Sequence, residues 1–334
     1  MSTTMRTIPR LLPLLLACGL PAQFSATLTA NQPIEATLTT TSSHPAGPLT
    51  TSGTVSSTIS PYNIVATALW QPPTPTNLSC TLRETLDTGS LPGSWWPATF
   101  QIDATLEITG PTGAWGTIVV TADRYGTQWP TVDVGNDGTN DTSPAGFYGG
   151  VGPGAQRYEW SIPVQLGAAP LPVRILMPTA ALLSPGFLFT EVRFVPWSPN
   201  ATDLGSGCTP NHVGWIVGQN SAHDYSMAVL PGSGAAAATL HARGYGQLQV
   251  FAVDLQSARL PVGTIPFGNG CDDLLLGASV TAPGVPTPFS DDDEWTLDVP
   301  VLPPGLTFYL QHVSLGGQGN PIYFGATNVV RYQT

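Results

Sequence analysis

The segment TFQIDATLEIT, residues Thr99 to Thr109, alternates strictly between apolar and polar side chains. One set comprises Phe100, Ile102, Ala104, Leu106 and Ile108, and the other comprises Gln101, Asp103, Thr105 and Glu107. Successive side chains of a strand point to opposite faces of its sheet. The segment therefore predicts a half-buried β-strand, with the apolar set in a core and the polar set in solvent.

The residues that follow this strand predict a turn and a partner strand. Gly110-Pro111-Thr112-Gly113 are turn formers, and TIVVTAD, residues 117–123, continues with a second apolar run. Two such runs joined by a short Gly-containing segment are typical of a β-hairpin. We therefore predict that the two strands are paired.

Strand signals of the same kind recur along the chain. YEWSIPVQL, LPVRILMP and FLFTEVRFV follow, and ATLTANQPIEATLTT begins a Thr/Ser-rich region from Phe24 to about Ser57. Small β-branched residues suit either strands or an extended stalk, and we predict strands. No stretch of 11 or more residues has a clear helical period. Short strands separated by Gly/Pro turns are typical of a β-sandwich.

A second strand series follows a Pro/Ser/Gly-rich segment, VPWSPNATDLGSGCTPN, at Val195 to Asn211. This series includes YSMAVL, ATLHARG, QLQVFAVDL, EWTLDVPVL and LTFYLQHVSL. The predicted fold is therefore all-β, with two antiparallel, immunoglobulin-like or jelly-roll-like sandwiches. The predicted divisions are a signal peptide at 1–22, an N-terminal domain at 23–204 and a C-terminal module at 205–334.

Composition excludes several classes of function. Charged residues make up 9% of the 334 residues, and all ten basic residues are arginines, against 21 acids. A net charge of −11 repels polyanions, so nucleic acid is not an expected partner. Without lysine the chain has no Walker phosphate loop, no Schiff-base lysine and no Ser-x-x-Lys site.

The N-terminus has the pattern of an export signal. Arg6 and Arg10 precede an apolar run from Leu11 to Leu20, which is too short to cross a bilayer. We predict cleavage after Ala22 and secretion, with lipid attachment at Cys18 as the alternative, because the residues before Cys18 resemble a lipobox. No other apolar run approaches the length of a transmembrane segment.

Several segments of the chain form a recognisable set: Gly207-Cys208, Gly270-Cys271, the strand Leu306 to Gln311, the ending Ala326 to Tyr332, the VDVGNDG turn, and VQLGAAPLPVRI at Val164 to Ile175. Through these segments the chain resembles a group of secreted, planctomycete-type β-sandwich proteins. The resemblance covers most of residues 24–334. What it implies is a sandwich fold and export, and it supplies no catalytic residue.

Cysteines allow a disulfide in an exported protein. Cys208 and Cys271 both follow glycine within the C-terminal module, and we predict that they pair. A zinc site that uses Cys208, His212 and Cys271 is the alternative, although it lacks an evident fourth ligand. Cys80 is unpaired under either arrangement.

The loop DVGNDGTND, residues Asp133 to Asp141, raises the question of a calcium site. Asp133, Asp137 and Asp141 surround Gly138 at EF-hand-like intervals, but Gly135 and Pro144 stand where that loop needs a carboxylate and a bidentate Glu. Asn-Asp-Gly also forms tight turns. We favour a turn and keep calcium as the alternative. The acidic run at 291–294 is interpreted as a solvated hairpin tip.

Candidate binding residues are few. Trp95 and Trp96 lie in the Gly/Pro-bounded loop GSLPGSWWPATF, where an exposed aromatic face suits a sugar ring, although core packing is the alternative. The sequence has no HExxH and no GxSxG motif. We therefore expect an exported extracellular or cell-surface binding or structural protein, which engages polysaccharide or other envelope components. The alternatives are a secreted polysaccharide hydrolase with a carboxylate pair and a spacer without a ligand.

Overall fold

The protein is described by a computed structural model. The residues that it describes are 24–60, 62–87, 98–125, 129–142, 156–177, 186–205, 221–223, 226–243, 248–255, 259–261, 273–275, 280–283, 285–286, 294–316 and 323–334. They form strands, turns and loops, and the predicted all-β fold is confirmed. No helix in this part of the chain is long and apolar enough to span a membrane.

Fourteen strands precede residue 205. They are β1 (Ser25–Ala30), β2 (Ile34–Thr37), β3 (Thr41–His44), β4 (Gly47–Pro48), β5 (Gly53–Ile59), β6 (Ile64–Gln71), β7 (Ser79–Asp87), β8 (Thr99–Thr109), β9 (Trp115–Tyr125), β10 (Thr131–Val134), β11 (Gln156–Gln165), β12 (Leu171–Met177), β13 (Gly186–Pro196) and β14 (Ala201–Asp203). The Thr/Ser-rich start thus forms strands, as predicted.

Twelve described strands follow. They are β15 (Ser221–His223), β16 (Ser226–Pro231), β17 (Ala236–Arg243), β18 (Leu248–Asp254), β19 (Arg259–Pro261), β20 (Asp273–Leu275), β21 (Val280–Pro283), β22 (Val285–Pro286), β23 (Glu294–Pro300), β24 (Thr307–Gly316), β25 (Tyr323–Ala326) and β26 (Val330–Gln333).

Strands β1 to β13 supply all but one of the strands in two seven-stranded sheets. Sheet 1 has the order β10-β12-β8-β1-β4, with β2 pairing both β8 and β3. Sheet 2 has the order β15-β11-β9-β13-β7-β6-β5. Their inner faces share one core, to which sheet 1 contributes Ile102 and Leu106 and sheet 2 contributes Leu82, Val120 and Val192. These sheets therefore form a sandwich.

Later strands form a second core. Sheet 3 has the order β14-β26-β24-β18-β21, with β25 on β24, and sheet 4 has the order β16-β17-β23-β22. Phe251 and Leu310 of sheet 3 pack with Val229 and Leu240 of sheet 4. A separate pair, β19-β20, completes the described strands. The first core extends to Phe194 and the second starts at Trp197, while the division at 204/205 stays a prediction.

The alternating segment TFQIDATLEIT forms strand β8, as predicted, but one residue of its polar face is not in solvent. The five apolar residues of that segment are buried. Asp103, on the other face, is only 2% exposed because Arg174 and Asn31 cover it. Arg174 donates from Nε to Oδ1 at 3.1 Å and from Nη2 to Oδ2 at 2.7 Å, and Asn31 Nδ2 donates to Oδ1 at 2.7 Å. The alternation of residues within β8 does not predict this burial, because Arg174 and Asn31 are distant in the sequence.

The predicted hairpin of β8 and β9 is wrong. Strand β8 pairs with β1, β2 and β12, whereas β9 pairs with β11 and β13 of sheet 2. The connection crosses between sheets, and its backbone bonds to Leu166 instead of closing a hairpin: Gly113 N donates to Leu166 O, and Leu166 N donates to Ala114 O, both at 2.8 Å. A Cβ on Gly110 would lie 2.5 Å from the Phe24 ring, so the crossing requires glycine there.

Candidate functional site

Several predicted site residues lie outside the described residues, and their predictions remain untested. They are Trp95, Trp96, Cys208, His212, Cys271, the acidic residues 291–293, and the N-terminal residues 1–23, which include Cys18 and Ala22. The aromatic loop, the disulfide, its zinc alternative and the export signal are therefore still predictions.

The Asp133 side chain organises the turn that follows β10. Its Oδ1 accepts a hydrogen bond from Asp137 N at 3.0 Å, and its Oδ2 accepts one from Gly138 N at 2.9 Å. Asn136 and Gly138 have φ values of 53° and 90°, in the left-handed region that Asn and Gly tolerate best. The residue types that suggested calcium thus also satisfy a hydrogen-bonded turn.

The other two aspartates of the loop also accept backbone hydrogen bonds. Asp141 Oδ2 accepts one from Val134 N at 2.7 Å, and Asp137 Oδ1 accepts one from Thr139 N at 2.8 Å. The bond from Thr139 lowers the pKa of Asp137, whereas burial raises the pKa of Asp141 despite its bond from Val134. Within the described ranges no three His, Cys, Asp or Glu side chains are grouped to hold a metal. Calcium binding stays a prediction.

A cleft between sheet 2 and sheet 4 is the candidate functional site. The volume of this inter-sheet cleft is about 290 Å³. Its described lining residues come from five strands: Thr117 and Val119 of β9, Ser161 of β11, Arg193 and Val195 of β13, Ser226, Ala228 and Leu230 of β16, and His241 of β17. No sequence motif marks this set, because its members are spread over more than 120 positions.

The sheet 2 wall of the cleft is the outer face of the N-terminal sandwich. Val119 lies opposite both Ser161 and Arg193 in the strand register, so these three side chains form a row across β11, β9 and β13. Thr117 and Val195 form the next row. The intervening residues of these strands, such as Val120 and Val192, point into the first core, which holds this wall in place.

The sheet 4 wall is the outer face of the C-terminal sandwich. His241 lies opposite Ala228 in the pairing of β16 with β17. Met227 and Val229, which alternate with the lining residues of β16, are buried in the second core. Each wall is thus held by its own core, and the cleft lies where two outer faces meet.

Some polar side chains of the cleft form hydrogen bonds within the protein and others do not. Thr117 Oγ1 accepts a hydrogen bond from Trp197 Nε1 at 2.7 Å. Ser161 is only 8% exposed, and its Oγ has no hydrogen-bond partner among the described residues. Arg193 is exposed at the cleft and forms no hydrogen bond or ion pair in the described structure. The Ser161 hydroxyl and the Arg193 guanidinium are therefore available to hydrogen-bond a ligand in the cleft.

Carboxylates lie beside the cleft. Glu159 and Glu191 both lie opposite Thr121 in the strand register, one on each side, on the same outer face of sheet 2. They are two residues away from Ser161 and Arg193 along their strands. The nine lining residues named above include no Asp or Glu.

Three other groups with functional chemistry lie in the cores. Glu84 of β7 is buried, neither of its carboxyl oxygens is hydrogen-bonded to a described residue, and burial raises its pKa to about 8. Burial raises the pKa of the Cys80 thiol to about 12. His312 is buried against Phe251, with ring centroids 5.0 Å apart, and burial lowers its pKa to about 4. All three are enclosed, so none contacts a substrate in this conformation.

The chain matches no protein family, no curated protein and no solved structure in comparisons with known proteins. The resemblance to planctomycete-type sandwich proteins is therefore still a prediction. Function has to be argued from the geometry of the inter-sheet cleft.

Proposed function

We propose that the protein is an exported extracellular or cell-surface binding protein, and that its inter-sheet cleft takes one sugar unit of an envelope polysaccharide. The observation that carries the proposal is the buried Ser161 hydroxyl, which has no hydrogen-bond partner in the part of the chain that the structure describes. Leaving such a group unsatisfied costs about 1–3 kcal/mol. A ligand hydroxyl would remove that cost.

The rest of the lining also suits a sugar. Ser226 adds a second hydroxyl, while Val119, Val195 and Leu230 supply apolar surface for the C–H groups of a sugar ring. A volume of about 290 Å³ is at the lower limit of the range for small-molecule sites. That size favours a single ring over an oligosaccharide.

Export rests on the sequence pattern of residues 1–22, and the Trp95-Trp96 loop remains a candidate second contact with a polysaccharide. The hydrolase alternative needs two carboxyl groups about 5–9.5 Å apart. Glu159 and Glu191 are separated by one intervening strand, which corresponds to about 10 Å between backbones. The lining itself supplies no such pair, so binding is the function that the cleft supports.

A pull-down on insoluble polysaccharides and bacterial envelopes tests this proposal. We expect binding by the parent protein, weaker binding by Ser161→Ala, and still weaker binding by Ala228→Trp, which fills the cleft. Ser56→Ala removes an exposed hydroxyl of β5, at the far edge of sheet 2, and is the matched control.

Two results would contradict the proposal. Equal retention of the parent and Ala228→Trp would remove the cleft from the binding site. Release of reducing ends from a polysaccharide, with loss of that activity in Glu159→Gln or Glu191→Gln, would establish the hydrolase instead. Running the pull-down with millimolar calcium and again with a chelator also tests the Asp133 loop.

A further inference from the structure

We infer that the sugar unit taken by the inter-sheet cleft carries a single carboxylate, as a uronic acid does. This inference rests on the proposed function and specifies its ligand. It is based on the charge and the hydrogen-bonding state of Arg193, and on what faces it across the cleft.

Arg193 lacks the side-chain contacts that three other arginines form, and within the described residues Arg83 lacks them as well. Arg174 makes a two-point contact with Asp103, Arg124 lies over the Trp129 ring at 4.2 Å, and Arg331 donates to Thr202 Oγ1 at 3.3 Å. Arg193 forms no hydrogen bond or ion pair within the described structure. Its five N–H donors and its charge are available to a ligand.

The two walls of the cleft offer one positive charge and two hydroxyl groups. Arg193 and Ser161 belong to the sheet 2 wall, and Ser226 belongs to the sheet 4 wall. Apolar side chains such as Val195 and Leu230 lie among these three groups, and a charge interaction is stronger beside apolar surface than in open water. A planar carboxylate matches the guanidinium fork of Arg193, while sugar hydroxyls match the two serines.

Neighbouring acids limit the ligand to one charge. Glu159 and Glu191 flank the same face two residues from Ser161 and Arg193, and the whole chain has a net charge of −11. A phosphate or a densely sulfated chain would be repelled by the Glu191 carboxylate and by the net negative charge of the chain. A ligand whose only charge lies at Arg193 would meet less repulsion.

Calorimetric titration of the full-length exported protein with monosaccharides tests the inference. The probes are D-glucuronic, D-galacturonic and D-mannuronic acids, their methyl esters, and glucose, galactose and mannose. We expect at least one acid to bind tenfold or more tightly than both its methyl ester and its neutral sugar. Added salt should reduce that preference.

Two variants test whether Arg193 causes the preference for the acid over its methyl ester. Arg193→Gln should bind the acid and its methyl ester with equal affinity. Arg83→Gln is the matched control, because Arg83 is an exposed arginine on the same outer face of sheet 2, where it lies opposite Phe189. Arg83→Gln should prefer the acid over its ester as strongly as the parent protein does. Circular dichroism shows whether each variant is folded. The comparison of acid with ester uses the parent protein, so it does not depend on the folding of a variant.

Three outcomes would overturn the inference. Equal affinity for acid and neutral sugar would refute the carboxylate and leave the proposed function intact. Tighter binding of a sugar phosphate than of any uronic acid would refute the single charge. Failure of every sugar to bind the parent protein would refute both the inference and the proposed function.

Discussion

Glu84 gives the sharpest test of the structure, because a buried carboxyl without a hydrogen bond makes stability depend on pH. Its pKa is about 8 in the folded protein against an ordinary 4.5. Between these values the folded protein holds a proton that the unfolded chain has released. The free energy of unfolding therefore falls as pH rises, by about 1.4 kcal/mol per pH unit.

The total effect is large for one side chain. Over the full interval from pH 4.5 to pH 8 the free energy of unfolding falls by about 5 kcal/mol, and most of this fall, about 4 kcal/mol, lies between pH 5 and pH 8. Glu84→Gln has nearly the same shape and no charge at any of these pH values. The variant should not show this fall, so its free energy of unfolding relative to that of the parent should rise by about 4 kcal/mol between pH 5 and pH 8.

Urea unfolding followed by tryptophan fluorescence at pH 5, 6, 7 and 8 measures the difference. Glu107→Gln is the matched control, because it removes one carboxyl from an exposed position of β8. We expect its stability to run parallel to that of the parent. If Glu84→Gln also ran parallel to the parent within about 1 kcal/mol, the Glu84 carboxyl would not be buried and uncharged as described.

Four further predictions concern other parts of the molecule. Burial lowers the pKa of His312 from 6.5 to about 4. As pH falls from 7 to below 4, the free energy of unfolding should therefore fall by about 3 kcal/mol, because the unfolded chain binds a proton at this imidazole before the folded protein does. His312→Phe should shift the midpoint of acid unfolding, followed by circular dichroism, to lower pH. Iodoacetamide should leave Cys80 unmodified in the native protein and modify it in urea, as site-resolved mass spectrometry would show, because burial keeps its thiol protonated; native labelling would contradict its burial. Gly116→Ala should lower the free energy of unfolding by about 2 kcal/mol because the new Cβ would lie 2.3 Å from the Phe194 ring, whereas Gly167→Ala, whose nearest neighbour would be 3.9 Å away, should change it little. Asp133→Asn should lower stability by about 1 kcal/mol equally with and without millimolar calcium, and a calcium-dependent rise in the melting temperature of the parent alone would favour the metal site over the turn.

The sequence predicted the strands well because their signal is local. In TFQIDATLEIT the alternation of apolar and polar residues is itself the pattern of burial, and all five apolar residues are buried in the structure. The Thr/Ser-rich start was harder, since small β-branched residues suit both strands and stalks. Its Leu28 and Ile34 are buried in the first core, which makes it part of the sandwich.

Sequence reasoning failed where partners are distant along the chain. The turn after Thr109 has the composition of a hairpin, but a glycine-containing connection can also cross between sheets. The choice here follows from the bonds to Leu166 and from the packing of Gly110 against Phe24. The sequence predicts Asp103 in solvent because Arg174, whose side chain covers it in the structure, lies 71 positions away.

The sequence alone determined the all-β class, the position of most strands and the exclusion of lysine-dependent chemistry, because each depends on residue type and short-range order. Only the tertiary structure determined the inter-sheet cleft, because its lining residues extend from Thr117 to His241 and meet on two outer sheet faces. Within the described ranges the same structure leaves the Ser161 hydroxyl and the Arg193 guanidinium without side-chain partners. Whether a polar group has a partner depends on what packs against it, and chain order does not record that.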